Sequence, residues 1–104
     1  MKNGEYTGLT DGGWSTVYDQ STDAGAISRG LNFEAVGGDI HVRLTPHHTT
    51  DQAETYQASP ARGCIVVPSG AVRAFYAGNK SITKIEARAA AGMTGSLIVS
   101  SYSN

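Results

Sequence analysis

The stretch ITKIEARAAAGMTGSLIVSS, residues 82–101, decides the fold. Its middle, KIEARAAA, is built of helix formers, while its ends, ITKI and SLIVSS, are rich in strand formers. A helix over the middle would span about two turns, and isolated helices shorter than about 12–15 residues are marginal without an amphipathic face to pack. The apolar positions suit a period of two: Ile85, Ala87 and Ala89 alternate with Lys84, Glu86 and Arg88. Ile82 falls one residue off that period, which predicts an irregular entry at Ser81–Ile82. Gly92 and Gly95 then supply a loop, and LIVSS returns as a strand. The spacing predicts a terminal β-hairpin, with the alanines leaving clearance for a close neighbour, either backbone or a second subunit.

The segments before it read the same way. VRAFYA alternates Val72, Ala74 and Tyr76 against Arg73, Phe75 and Ala77, and GNK closes it with a turn. CIVVP is a continuous apolar run, suited to a strand buried on both faces. IHVRL is the clearest strand, with Ile40, Val42 and Leu44 on one face and His41 and Arg43 on the other; Pro46 ends it. GGD at 37–39 reads as a tight hairpin turn. In ISRGLNFEAV, Ile27, Leu31, Phe33 and Ala35 fall on alternate positions, and the charged Arg29 interrupts them, so a bulge or break is expected near Gly30. WSTVYDQ is a first strand, alternating Trp14, Thr16 and Tyr18 against Ser15, Val17 and Asp19.

Two segments lack such a pattern. Residues 1–13 carry Asn3, Gly4, Gly8, Gly12 and Gly13 and no apolar period, which predicts an arm that orders against a partner. Residues 45–63 form a long polar connection, with room for a helical turn over TTDQAETY capped by Thr50. The expected organisation is an N-terminal arm at 1–13 and one domain at 14–104. About eight short strands, with turn signals every 8–12 residues, describe an all-β sandwich or barrel. A jelly-roll-like sandwich is expected over an immunoglobulin-like one, because Cys64 is the only cysteine and the antibody-type core disulfide is excluded.

Composition narrows the function. The chain has 104 residues with 8 basic and 9 acidic side chains, and its cations are scattered, so no stripe exists to displace phosphate counterions. No nucleic-acid partner is expected. No apolar run approaches the ~20 residues of a membrane helix, and the N-terminus has no apolar signal core. A single cysteine fits folding in a reducing cytoplasm. Ser and Thr number 10 each and Gly 13, a composition suited to many turns and hydroxyl-lined sheet faces.

No motif carries chemistry. His47, His48, Asp51 and Glu54 gather in HHTTDQAE, but adjacent histidines point apart in extended chain and the spacing matches no metal motif. Cys64 opens the most apolar run and reads as a small buried hydrophobe. His41 falls on the outer face of its strand. The acids Asp11, Asp19, Glu34 and Asp39 have no spacing that singles them out for acid–base work. No catalytic residue, metal ligand or cofactor is expected, and an inward His/Glu cluster of the kind an enzymatic small β-barrel needs is missing. Among the aromatic residues, Trp14 and Phe33 are natural core fillers. Tyr6, Trp14 and Tyr18 are the candidates for binding a partner, because Trp and Tyr are common interface anchors.

The order GGWSTVYDQSTDAGAIS, then IHVRL, then VPSGAVRAFYAGNKSITKIEARAAAGMTGSLIVSS resembles the small accessory virion proteins of tailed bacteriophages. The resemblance covers residues 12–101 and rests on pattern and turn placement. It implies a virion structural protein, made in the host cytoplasm, and no enzyme. The first expectation is a head decoration or cement protein: a jelly-roll homotrimer bound to the major capsid protein or another virion protein. The alternative is a head-fibre, spike or tail-associated module that recognises host-surface glycan or another virion protein.

Overall fold

The computed structural model describes residues 4–22, 30–45, 64–76 and 82–101, without the side chains of Cys64, Tyr76 and Ser101. They form eight strands: β1 (Gly4–Thr10), β2 (Ser15–Asp19), β3 (Gly30–Val36), β4 (Ile40–Thr45), β5 (Cys64–Val67), β6 (Val72–Tyr76), β7 (Lys84–Ala89) and β8 (Thr94–Ser101). Two four-stranded antiparallel sheets pack face to face, with strand orders β1-β8-β3-β6 and β2-β7-β4-β5. Here they are called the first and second sheet.

The pairs β1·β8, β2·β7, β3·β6 and β4·β5 are nested, like the rungs of one long hairpin. The hairpin is then rolled, so that β8 also pairs with β3 and β7 also pairs with β4. This is the strand order of a jelly roll. The all-β sandwich expected from the sequence is therefore the observed fold.

The core lies between the sheets and follows the alternation. Leu31, Phe33 and Ala35 on β3, Ile40, Val42 and Leu44 on β4, and Ile85, Ala87 and Ala89 on β7 are all fully buried, as are Leu97 and Val99 on β8. Ala35, Ala87 and Ala89 belong to the same core as Tyr18, Phe33 and Leu31, so small side chains from both sheets share the layer with large ones. The clearance expected of the alanines serves the opposite sheet.

Residues 4–10 correct the arm expected over residues 1–13. They form an edge strand, β1, whose ladder with β8 runs from Gly4↔Val99 to Thr10↔Thr94. The register shifts between Tyr6 and Leu9, where Gly8 takes a positive φ of 71°. That bulge puts Tyr6 and Leu9, three positions apart, against one core, and it erases the period of two that would have marked a strand. A second bulge, between Thr16 and Tyr18, turns Tyr18 inward beside Val17.

Two predicted hairpins are also corrected. β3 and β4 are adjacent in sequence and lie in different sheets, as do β7 and β8. GGD and the loop at 90–93 are arches from one sheet to the other. Residues 11–14 and 68–71 cross likewise, and the four crossings meet at one end of the sandwich. The Ala90 N–H donates to the Asp39 carbonyl (2.9 Å), the Ser69 N–H to Asp39 Oδ1 (2.8 Å) and the Gly92 N–H to Asp11 Oδ2 (2.8 Å). A Cβ on Gly38 would strike the Thr94 carbonyl, and one on Gly95 would come within 2.9 Å of the Val36 carbonyl. The residues before Gly30, where a bulge or break is expected, the helical turn over 49–56, the GNK turn and Ser81 of the irregular Ser81–Ile82 entry lie outside the described residues; Ile82 forms an isolated bridge ahead of β7.

Two substitutions test this arrangement by chemical denaturation. Leu9→Ala is expected to cost about 2–4 kcal/mol, as for a core leucine, against less than about 0.5 kcal/mol for a residue in a solvated arm. Gly38→Ala is expected to cost at least about 2 kcal/mol, because rigid backbone must move. Gly13→Ala, with nothing within 4 Å of its added Cβ, is the control.

Candidate functional site

The outer face of the second sheet gathers charged and aromatic side chains that contact one another. Its inner positions are filled by Ile40, Val42, Leu44, Ile85, Ala87 and Ala89. The alternate positions therefore project away from the core, and register sets them in rows. His41 lies opposite Arg88 on one side and Val66 on the other; Arg43 lies opposite Glu86. Ser15 pairs with Ala87, which brings Trp14, one residue earlier, next to Arg88.

The side chains use these positions. Arg43 Nε donates to Glu86 Oε1 at 2.8 Å in a partly buried ion pair, and Lys84 Nζ stands 3.9 Å from Glu86 Oε2. The Arg43 guanidinium lies 4.2 Å from the centroid of the Trp14 ring, and that of Arg88 lies 4.9 Å from it. Both distances are within the range of cation–π attraction. One carboxylate and one indole thus hold a cationic surface in place.

A pocket of about 300 Å³ opens at the arch end of this face, lined by Asp11, His41, Arg88, Ala89 and Ala91. The β1–β2 loop contributes Asp11, β4 contributes His41, and β7 with its arch contributes the rest. Burial lowers the pKa of His41 below its ordinary 6.5, and the Arg88 charge lowers it further, while Asp39 opposes both. His41 is therefore neutral at pH 7.

The expected partner-binding residues separate. Trp14 is half-buried on the outer face, under two guanidinium groups, and is absent from the core it was a natural candidate to fill. Tyr6 is partly buried against the core from β1. Tyr18 is 1% exposed, inside the core, so it presents no surface to a partner in this fold. Phe33 is a core residue, as expected, and His41 does lie on the outer face. Of the acids without motif spacing, Asp11 and Asp39 accept loop amides at the arch end, and Asp19 accepts the Ser21 N–H (2.9 Å) and hydroxyl (2.7 Å). His47, His48, Asp51 and Glu54 lie outside the described residues, as does the side chain of Cys64. Among the described residues, no three His, Cys, Asp or Glu side chains stand close enough to hold a metal ion.

Arg43, Glu86 and Arg88 were legible as outward residues of IHVRL and KIEARA. Their juxtaposition was not, because nothing in the sequence pairs β4 with β7.

The His41 environment predicts a pH dependence. The unfolded chain takes up this proton near 6.5 and the folded chain only at lower pH. The stability linked to His41 is therefore complete above 6.5 and is lost as pH falls through the lowered folded value. Denaturation of the wild type and His41→Gln between about pH 5 and 8 should show the wild-type advantage shrinking on the acid side; parallel curves would refute the assignment.

No family model, curated protein or solved structure matches the chain.

Proposed function

We propose that the chain is a bacteriophage virion structural protein, a decoration or cement protein that stabilises the head by binding the major capsid protein. The observation that carries this reading is the outer face of the second sheet, with Trp14 held beside Arg43 and Arg88. Trp and Arg are the residue types most enriched at interface hot spots. A face already fixed by an ion pair and by stacking loses little side-chain freedom on binding. The resemblance in pattern to accessory virion proteins supplies the partner, and the jelly-roll order is an architecture that viral capsid domains use. The fold by itself assigns no function.

The binding unit in this reading is a homotrimer. Val36 and Val72, 42% and 55% exposed on the first sheet, offer apolar area for contact between copies. A domain of this size has a narrow stability margin, and binding a preformed lattice widens it by mass action.

A second reading is a head-fibre, spike or tail-associated module recognising host-surface glycan or another virion protein; the glycan form is favoured by the pocket lined by Arg88, an arginine that lies over the same tryptophan.

Co-sedimentation with purified heads of the encoding phage tests the first reading. Trp14→Ala is expected to keep the folded spectrum and lose at least about tenfold in affinity, the scale of an interface hot spot. A chain that ignores the heads, or a variant that binds them undiminished, refutes it. Light scattering on the free chain tests the trimer.

A further inference from the structure

We infer that the pocket lined by Asp11, His41, Arg88, Ala89 and Ala91 binds a sugar acid, a ring bearing one carboxylate and adjacent hydroxyls. The inference specifies the second reading above and is independent of capsid binding.

Three features of the pocket converge on that chemistry. Arg88 brings a guanidinium whose central carbon lies 4.9 Å from the centroid of the Trp14 ring. Its N–H donors form a planar fork that matches a carboxylate. Asp11, from a separate loop, brings a carboxylate to the same rim; Oδ2 already accepts the Gly92 N–H, and Oδ1 is a second acceptor for a ligand hydroxyl. His41, opposite Arg88 in the ladder, adds an imidazole that can donate or accept.

A fixed cation beside a fixed anion selects a ligand that is anionic at one end and a hydroxyl donor at the other. A simple carboxylate engages Arg88 and not Asp11, and a neutral sugar engages Asp11 without using the Arg88 charge. Ala89 and Ala91 keep the floor and wall small, and about 300 Å³ is at the lower limit of small-molecule sites, which suits a single ring.

Binding is coupled to protons. Among the described residues, the charged and titratable groups around His41 are Arg88 from β7, Asp39 from the β3–β4 arch and Asp11 from the β1–β2 loop. A ligand carboxylate on Arg88 offsets the cationic charge that disfavours protonation of His41. His41 must then titrate at higher pH when the ligand is bound, and the ligand must bind more tightly as pH falls.

The test is titration of the full chain with glucuronate, glucose and acetate, followed by amide and imidazole NMR. Glucuronate is expected to give saturable shifts at Gly92, Arg88 and His41, with glucose and acetate each at least about tenfold weaker. Ala91→Phe, which fills the pocket from an exposed loop position, and Arg88→Gln should each weaken glucuronate at least about tenfold. Asp11→Asn should narrow the difference between glucuronate and acetate. The His41 titration should move up with glucuronate bound. Absent saturation, equal binding of the three ligands, full binding by folded Ala91→Phe, or an unmoved His41 titration would each overturn the inference. Capsid occupancy, measured separately, is untouched by any of these outcomes.

Discussion

Two arches crossing at one end of the sandwich constrain everything else. The 37–39 arch and the β7–β8 arch touch backbone to backbone, with Gly38 on the Thr94 carbonyl and Gly95 on the Val36 carbonyl. No side chain fits there, and only glycine permits the approach. Because the contact ties the end of β3 and the start of β4 to the start of β8, it fixes where these strands meet at this end of the sandwich. The Ala90 N–H to Asp39 carbonyl bond extends the tie to the end of β7. The register of β4 against β7 follows, and with it the His41–Arg88 and Arg43–Glu86 pairs.

The outer face of the second sheet is therefore a consequence of the crossing. A shift of one residue between β4 and β7 would bury the cations and expose the aliphatic row. In the observed register, the cations from two strands meet the indole of Trp14, at the end of the β1–β2 loop. Glu86 balances one of them, and the tryptophan receives both guanidiniums. Order in this surface is established before any partner arrives, which makes it suited to recognition. The pocket at its end adds a carboxylate and an imidazole from elements far apart in sequence.

Period-two segments were transparent wherever the strand was regular. IHVRL, LNFEAV and KIEARA each delivered their buried and outward residues correctly, so His41, Arg43, Glu86 and Arg88 were visible as surface groups. Where a bulge intervened, the pattern failed. At β1, Gly8 separates Tyr6 from Leu9 by an odd step, and a real edge strand looked like an unpatterned arm. At β2, the same irregularity carried Tyr18 from the face it shared with Trp14 into the core. The site was legible as a set of residues and illegible as a place, because its members come from β4, β7 with its arch, and the β1–β2 loop.

ITKIEARAAAGMTGSLIVSS shows where the boundary falls. The sequence by itself determined that this stretch is strand, loop and strand, with Ile85, Ala87 and Ala89 on one face; the structure buries that face and adds Leu97 and Val99 to the same core. Side-chain alternation is a local property of extended backbone, and burial of one face enforces it. Only the tertiary structure decided that the two strands join different sheets and form an arch in place of a hairpin. The choice of neighbour is made by backbone hydrogen bonds, which are alike for every strand. The glycines that permit a hairpin turn also permit an arch. The decision lay with Gly38, Asp39 and Asp11, residues distant in the chain that close the crossing from the other side.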